Sequence, residues 1–469
     1  MVFTSNIFIF YFLPLVLLLY YALPFRYRNA LLTIAAYVFY GWHKPWFVLL
    51  MMYSTVCDYY AARIIAAPGS SRRLRKGTLA VAVINNLLLL GYFKYGVFAQ
   101  ENANVLLHLL GQQGFRIMQI TLPIGISFYT FQTISYTVDV YRGTAPPARR
   151  LSDFTCFVAL FPHLIAGPIV RYNTIADQFG HRQHTYERFA SGVVLFILGF
   201  GKKILLANAM GRIADVVFAA DSPDALTAWW GLAAYAGQIY FDFSGYSDIA
   251  VGLGRMVGFE IPRNFNSPYL SRSLTEFWQR WHMSLSSFLR DYLYFPLGGN
   301  RYGARRSMIN LWLVMLIGGL WHGASWKFVL WGAYHGFWLA LERGFAKRDG
   351  GLWSFLPRPL QVVVTFALVL LAWVPFRAEN WAATAAYLRA LFGLGAALPH
   401  GQLVRGEVFS LNHVMMMGIC AFVVTRRTQA WDLARDVSWP KLAWLVPLFV
   451  LGLAAMYTQS FNPFLYFRF

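Results

Sequence analysis

An all-α, polytopic membrane protein is what the sequence predicts, and three observations carry that prediction. Apolar residues make up 58% of the 469-residue chain and charged residues only 13%, too few to coat a soluble globule of this length. Apolar runs long enough to span a bilayer, roughly 17 to 25 residues each, recur from end to end, about a dozen by that criterion. Basic residues, 40 against 20 acidic, fall largely in short segments between those runs. Lipid offers backbone groups no hydrogen-bond partner, so the spans are read as helices. Little is left over for a soluble domain, and residues 1–469 are read as a single integral-membrane domain packed as a helical bundle.

The formal charge of +20 would suggest nucleic acid in a soluble protein. Here the positive-inside rule accounts for most of it, and nucleic acid is not expected. A smaller share of the charge is available to an anionic substrate or to acidic lipid headgroups. The three cysteines, Cys57, Cys156 and Cys420, lie far apart in apolar sequence. They read as small buried hydrophobes, with neither a disulfide framework nor a metal site. No basic residue precedes the apolar run from Ile7, so that run is read as a retained first span and not as a cleaved leader.

In chain order, the first span covers 7–24 and meets Arg26 and Arg28. Two spans at 29–41 and 46–60 follow around a turn at His43, and then a basic loop with Arg72, Arg73, Arg75 and Lys76. With both basic clusters cytoplasmic, the N-terminus lies outside. The span at 79–98 carries Asn85 and Asn86, expected to hydrogen-bond across helices, and Lys94, expected to snorkel to the interface. Two stretches mix helix breakers with small polar and aromatic residues: Leu122-Pro-Ile-Gly-Ile-Ser-Phe-Tyr-Thr-Phe-Gln132 and Phe161-Pro-His-Leu-Ile-Ala-Gly-Pro168. Membranes tolerate such backbone where it is buried in protein or lines a cavity. His163, between prolines, reads as structural. His181 and His184 lack the companions a metal site needs.

A span at 189–205 is interrupted by Lys202 and Lys203, and the apolar run 229–259 carries Tyr240-Phe-Asp-Phe-Ser-Gly-Tyr-Ser-Asp248. Two carboxylates so placed are costly unless paired or beside water. Asp242 and Asp248 are six positions apart and on one regular helix do not share a face, which argues against a carboxylate dyad. Hydrogen bonding that holds neighbouring helices is the first reading, and a place in a substrate wall the second.

Ser273-Leu-Thr-Glu276 has the capping-box pattern, so a helix is expected to start there. It should run on to Pro296, with Trp278, His282, Leu285 and Leu289 on one face. After a basic loop with Arg301, Arg305 and Arg306, a largely apolar stretch from Met308 leads to His322. Gly318, Gly319, Gly323 and Ala324 leave room there for close helix packing or for a ligand. His335 reads either as a support for His322 or as a packed core residue. Spans at 361–375, 409–424 and 442–456 complete the chain, and the aromatic segment 461–469 is expected at the interface.

An ionisable residue inside the membrane is a functional-site hypothesis by default. Histidine titrates near neutrality and can take a proton from a hydroxyl. Acyl transfer to an alcohol needs that base, an activated ester and a donor for the oxyanion. Positioned base catalysis supplies on the order of 10²- to 10⁴-fold, so orientation in a cavity must supply much of the rest. No nucleophile-elbow, phosphate-loop or dinucleotide pattern is present, which favours direct transfer. The residues alone leave acyl transfer and transport equally open.

The sequence resembles the membrane-bound O-acyltransferase family and, within it, the bacterial alginate O-acetyltransferase branch. The likeness runs from the N-terminus to the aromatic C-terminal end. It rests on the three stretches quoted at 122–132, 161–168 and 240–248 and on Asn264-Phe-Asn-Ser-Pro-Tyr269. It rests also on Glu276-Phe-Trp-Gln-Arg-Trp-His-Met-Ser-Leu-Ser286, Leu289-Arg-Asp-Tyr-Leu-Tyr294, Leu297-Gly-Gly-Asn-Arg301 and Gly319-Leu-Trp-His-Gly-Ala324.

The resemblance implies a helical bundle around a central funnel or tunnel, with His322 as catalytic base and His282 as a second site residue. It implies acetyl-CoA as cytoplasmic donor, no permanently bound cofactor or metal, and a location in the bacterial inner membrane. A periplasmic or membrane-anchored acetyltransferase of the polysaccharide machinery is the implied partner. Trp278, Trp281, Trp321, Ser286, Asp242 and Tyr246 are the candidate tunnel residues. The chain shows no long hydrophilic insert near its C-terminus, which leaves the polymer open between alginate, cellulose and others. D-alanyl transfer, a polysaccharide or lipid transporter, and a scaffold for periplasmic partners are the alternatives.

Overall fold

A computed structural model describes residues 1–165, 167–220, 222–345, 351–395, 401–459 and 464–465. Every regular element among them is a helix. The chain forms two compact units, Met1–Val193 with Ala250–Pro262 and Val194–Ile249 with Arg263–Phe469. The division falls inside two continuous helices, Tyr186–Gly201 and Ala225–Met256.

Among the described residues four helices are long and apolar enough to cross a membrane: Arg72–Leu109, Tyr186–Ala219, Arg358–Arg377 and Trp439–Thr458. Ile7–Ala22 and Leu411–Val424 are shorter apolar helices. That is fewer than the dozen expected from run length. Trp46–Ala66, Ala225–Met256, Gly303–His322 and Trp326–Phe345 have the length but carry polar groups, among them Asp58, Asp242, Asn310 and Glu342, all of which the fold buries.

In the first unit the expected asparagine contacts form. Asn86 donates through Nδ2 to both oxygens of the buried Asp58, at 3.0 and 2.8 Å, and its Oδ1 accepts from Ser54 at 2.9 Å and Thr133 at 3.2 Å. Asn85 accepts from Tyr53 at 3.1 Å. Lys94 departs from expectation: it does not snorkel but is buried, with Nζ donating to Ser127 Oγ at 3.4 Å. Cys57 is half-buried, whereas Cys156 and Cys420 are buried.

Both expected basic loops open helices instead. Ser71 caps Arg72–Leu90 by accepting from Leu74 N, and Arg305 and Arg306 lie in the first turn of Gly303–His322. Basic residues at a helix N-terminus oppose its dipole, so headgroup phosphates are what can offset them there. His163 is buried with Nε2 3.0 Å from Phe157 O, as its structural reading requires. His184, outside the spans, lies 2.8 Å from Tyr20 Oη. Burial first, then the neighbouring Arg28 and Arg182, hold its ring below the ordinary histidine range.

The element that matters most for the site is the hairpin of Gly303–His322 and Trp326–Phe345 in the second unit. A Cβ on Gly319 would stand 2.2 Å from Phe328 O, and one on Gly332 would stand 2.4 Å from Met315 O. Of the two uses open to the glycines around His322, Gly319 serves close packing, and Gly323 does the same against the Phe328 ring. Gly319→Ala is therefore expected to cost about 1–3 kcal/mol by forcing backbone apart. Thermal unfolding of the purified variant in detergent checks this, and an unchanged midpoint would show that the hairpin yields freely.

Candidate active site

The site is built on a short helix, Leu274–Arg280. Ser273 Oγ accepts from Glu276 N at 3.1 Å, the expected cap, but the Glu276 carboxylate takes the amide of Arg272, at 2.8 Å, and not that of Ser273. Burial works against the charged form of Glu276, but the Arg272 amide and the guanidinium groups of Arg280 and Arg272 outweigh it and lower its titration below the usual range. A second carboxylate, buried Glu342, accepts from Leu274 N and Thr275 N, each at 2.8 Å. These are orphan amides of the first helical turn, and a carboxylate there also meets the positive end of the helix. Glu342→Gln turns one acceptor into a donor facing N–H groups. It is expected to destabilise by about 1–3 kcal/mol and to lower activity by shifting Trp281. Unfolding and acyl-transfer assays on one preparation test both effects.

The helix does not continue to Pro296. It stops at Arg280, and a second helix, Met283–Leu289, starts after His282, whose backbone is left-handed at φ 44°, ψ 53°. Such a conformation in a non-glycine residue costs of order 1–3 kcal/mol and persists where neighbours over-determine it. Asn264 and Asn266 do so here. Asn264 O accepts from Met283 N at 2.9 Å, Asn264 Oδ1 accepts from Ser284 N at 3.2 Å, and Asn266 N donates to Arg280 O at 2.9 Å. The local capping pattern gave the start of the helix, but the break is made by a loop 14 to 18 positions earlier in the chain and could not be read locally.

Asn264 also sets the tautomer of His282. A backbone amide can only donate, so the side-chain atom facing Ser284 N is the amide oxygen, and Nδ2 is left to donate to Ser247 Oγ at 3.2 Å. His282 Nδ1 lies 3.1 Å from that oxygen and must carry the proton. In the neutral ring the lone pair then belongs to Nε2, which is buried without a hydrogen-bond partner among the described residues. His282 is fully buried, at 0% exposure.

His322 ends its helix and borders a partly open cavity of about 420 Å³ of empty space. Asp242, Phe243, Trp281, Trp331, Trp373 and Phe376 share the wall. Trp321 lies between the two histidines, its ring 6.3 Å from that of His282 and 5.0 Å from that of His322. His322 also meets Trp331 edge-on at 5.1 Å.

Of the residues singled out from sequence, His322, Trp281 and Asp242 stand on this wall. The others lie behind it. Trp278 donates to His335 Nδ1 at 3.4 Å, and Trp331 separates that pair from His322. Ser286 donates to Trp281 O at 3.4 Å, and Tyr246 lies against Phe464 at 4.5 Å between ring centroids. Phe243 sits inside a stretch already quoted. Trp331, Trp373 and Phe376 lie on Trp326–Phe345 and Arg358–Arg377, where nothing in the local sequence sets one aromatic ring apart from its neighbours.

Asp242 and Asp248 form no dyad. Successive lysines in a π-helical stretch, Lys202–Ala207, reach them separately: Lys203 Nζ lies 2.5 Å from Asp242 and Lys202 Nζ 2.7 Å from Asp248. The second oxygen of Asp242 accepts from Leu465 N at 2.7 Å. Of the aromatic segment 461–469, only Phe464 and Leu465 lie within the described residues, and both are buried in the cavity wall.

Fold and site thus define a helical membrane protein with two buried histidines in an indole-lined centre. The chain belongs to the membrane-bound O-acyltransferase family and is an acyltransferase: the family's sequence profile matches residues 150–348. It is 44% identical to "Probable alginate O-acetylase AlgI" of Azotobacter vinelandii over the whole of both chains. It is 33% identical to the peptidoglycan O-acetyltransferase of Helicobacter pylori, over all of this chain and 98% of that one. To the teichoic acid D-alanyltransferase of Bacillus subtilis it is 28% identical over 52% of this chain and 66% of that one.

Proposed function

We propose that this protein is a multi-pass O-acetyltransferase of the bacterial inner membrane. It takes acetyl from cytoplasmic acetyl-CoA and delivers it across the membrane for O-acetylation of a secreted polysaccharide. The observation that carries the reading is His322 on the wall of an aromatic cavity, with His282 one indole away and held with its lone pair on Nε2. Full-length similarity to an alginate O-acetylase supports the acetyl group and the polymer class.

In this mechanism His322 takes the proton of the acceptor hydroxyl as its oxygen attacks the thioester carbonyl. The C–S bond then breaks, and the proton passes to the departing CoA thiolate. His282 orients His322 or shares its proton. Indoles exclude water from the thioester and hold the reactants, so that orientation adds to base catalysis. The acceptor is a hydroxyl of a periplasmic partner acetyltransferase or of the sugar itself.

The test is the acetyl content of secreted polymer in a deletion strain with and without the complementing gene, alongside acetyl release from labelled acetyl-CoA by inverted membrane vesicles. Polymer that stays acetylated in the deletion strain would sink the reading. D-alanyl transfer is the less supported alternative, because that likeness spans about half of the chain. A transporter predicts that deletion abolishes secretion itself.

A further inference from the structure

We propose that the slot between helices Arg358–Arg377 and Leu411–Val424 binds one anionic phospholipid, an acyl chain in the slot and the phosphate at its arginine-lined mouth. The slot holds about 810 Å³ of empty space between Val362 and Phe366 of one helix and Met417, Cys420, Ala421 and Val424 of the other. Both helices are apolar, and Val363 on the slot wall is 60% exposed, so hydrocarbon is the filling this surface favours.

The slot opens through two shared residues, Leu270 and Val362, into a polar mouth of about 1130 Å³. Arg272, Arg280, Arg358 and Arg427 stand there against one carboxylate, Glu276. Glu276 is already engaged by Arg280 at 2.6 Å and Arg272 at 3.5 Å. Arg358 and Arg427 have no ion pair among the described residues.

The two arginines are also placed at headgroup level. Arg358 opens one apolar helix and Arg427 follows the end of the other. Basic residues flanking spans mark the cytoplasmic face, whose leaflet carries the anionic lipids. The slot is distinct from the histidine cavity. No residue lines both, and Tyr269 of the slot meets Trp281 of the cavity at 5.9 Å between ring centroids. The chemistry selected is therefore a fixed negative charge attached to a hydrocarbon chain. A zwitterionic lipid fills the slot equally well but returns less to the arginines.

The experiment uses the delipidated full-length protein in detergent, titrated with phosphatidylglycerol or phosphatidylcholine of identical chains and read by native mass spectrometry. Phosphatidylglycerol is expected to bind at least tenfold tighter. Arg358→Ala with Arg427→Ala should weaken it by roughly 30-fold, from about fivefold per charge, and erase the preference. Ala421→Trp, which fills the slot, should weaken both lipids. Inorganic phosphate and CoA should fail to displace the lipid.

Equal binding of the two lipids by the wild type would overturn the proposal. So would phosphatidylglycerol binding untouched by Ala421→Trp, which reduces the site to surface charge, or displacement by CoA, which makes the mouth a nucleotide site. Should the variants fold poorly, a salt titration of the wild type decides: the preference must shrink as ionic strength rises.

Discussion

A His322→Ala variant is expected to secrete polymer at the wild-type level and to leave it unacetylated, with acetyl content lowered by at least about 100-fold. The ring stands at the edge of an existing cavity, so truncation enlarges space that is already there and should spare the hairpin that carries it. On the proposed mechanism the variant loses general-base catalysis, while the cavity wall of Trp281, Trp331 and Trp373 stays in place to bind and orient the reactants. Residual transfer at the level set by orientation alone is then the floor. Membrane levels of the variant must match wild type, and His282→Ala run beside it grades the second histidine. Acetylation that survives His322→Ala would overturn the assignment and return the choice to transport or scaffolding.

Lys203→Met is expected to destabilise the protein by about 3–5 kcal/mol, because it strips the partner from a buried carboxylate. The Lys203–Asp242 pair spans 2.5 Å with side chains only 5% and 2% exposed. It differs in kind from the Arg290–Asp291 pair, whose arginine is 59% exposed and whose removal should cost about 0–1 kcal/mol. The same carboxylate holds the amide of Leu465, so losing its lysine also loosens a wall of the histidine cavity. Adding Asp242→Asn to Lys203→Met should restore much of the stability by removing the stranded charge. Thermal unfolding of the single and double variants in detergent, with Arg290→Ala as the exposed control, measures this. A double variant no more stable than the single would show that the pair is not the source of the loss.

The helical bundle, the buried histidines and the family were legible in the sequence. Hydropathy sums along the chain, so a span announces itself from its own residues, and a histidine beside an apolar run is conspicuous wherever the helices pack. Ser273 as a cap and the separate fates of Asp242 and Asp248 followed from spacing for the same reason. The break at His282 did not, because it is made by Asn264 and Asn266, which lie outside the helix they interrupt. Nor did the cavity wall. Trp281 and Trp373 meet at 5.3 Å although 92 positions separate them, and nothing in either local sequence distinguishes a wall from a core. Periodicity and polarity are properties of a segment and survive without a partner. A cavity and the tautomer of a buried ring are properties of what several segments leave between them, so only the tertiary structure decides them.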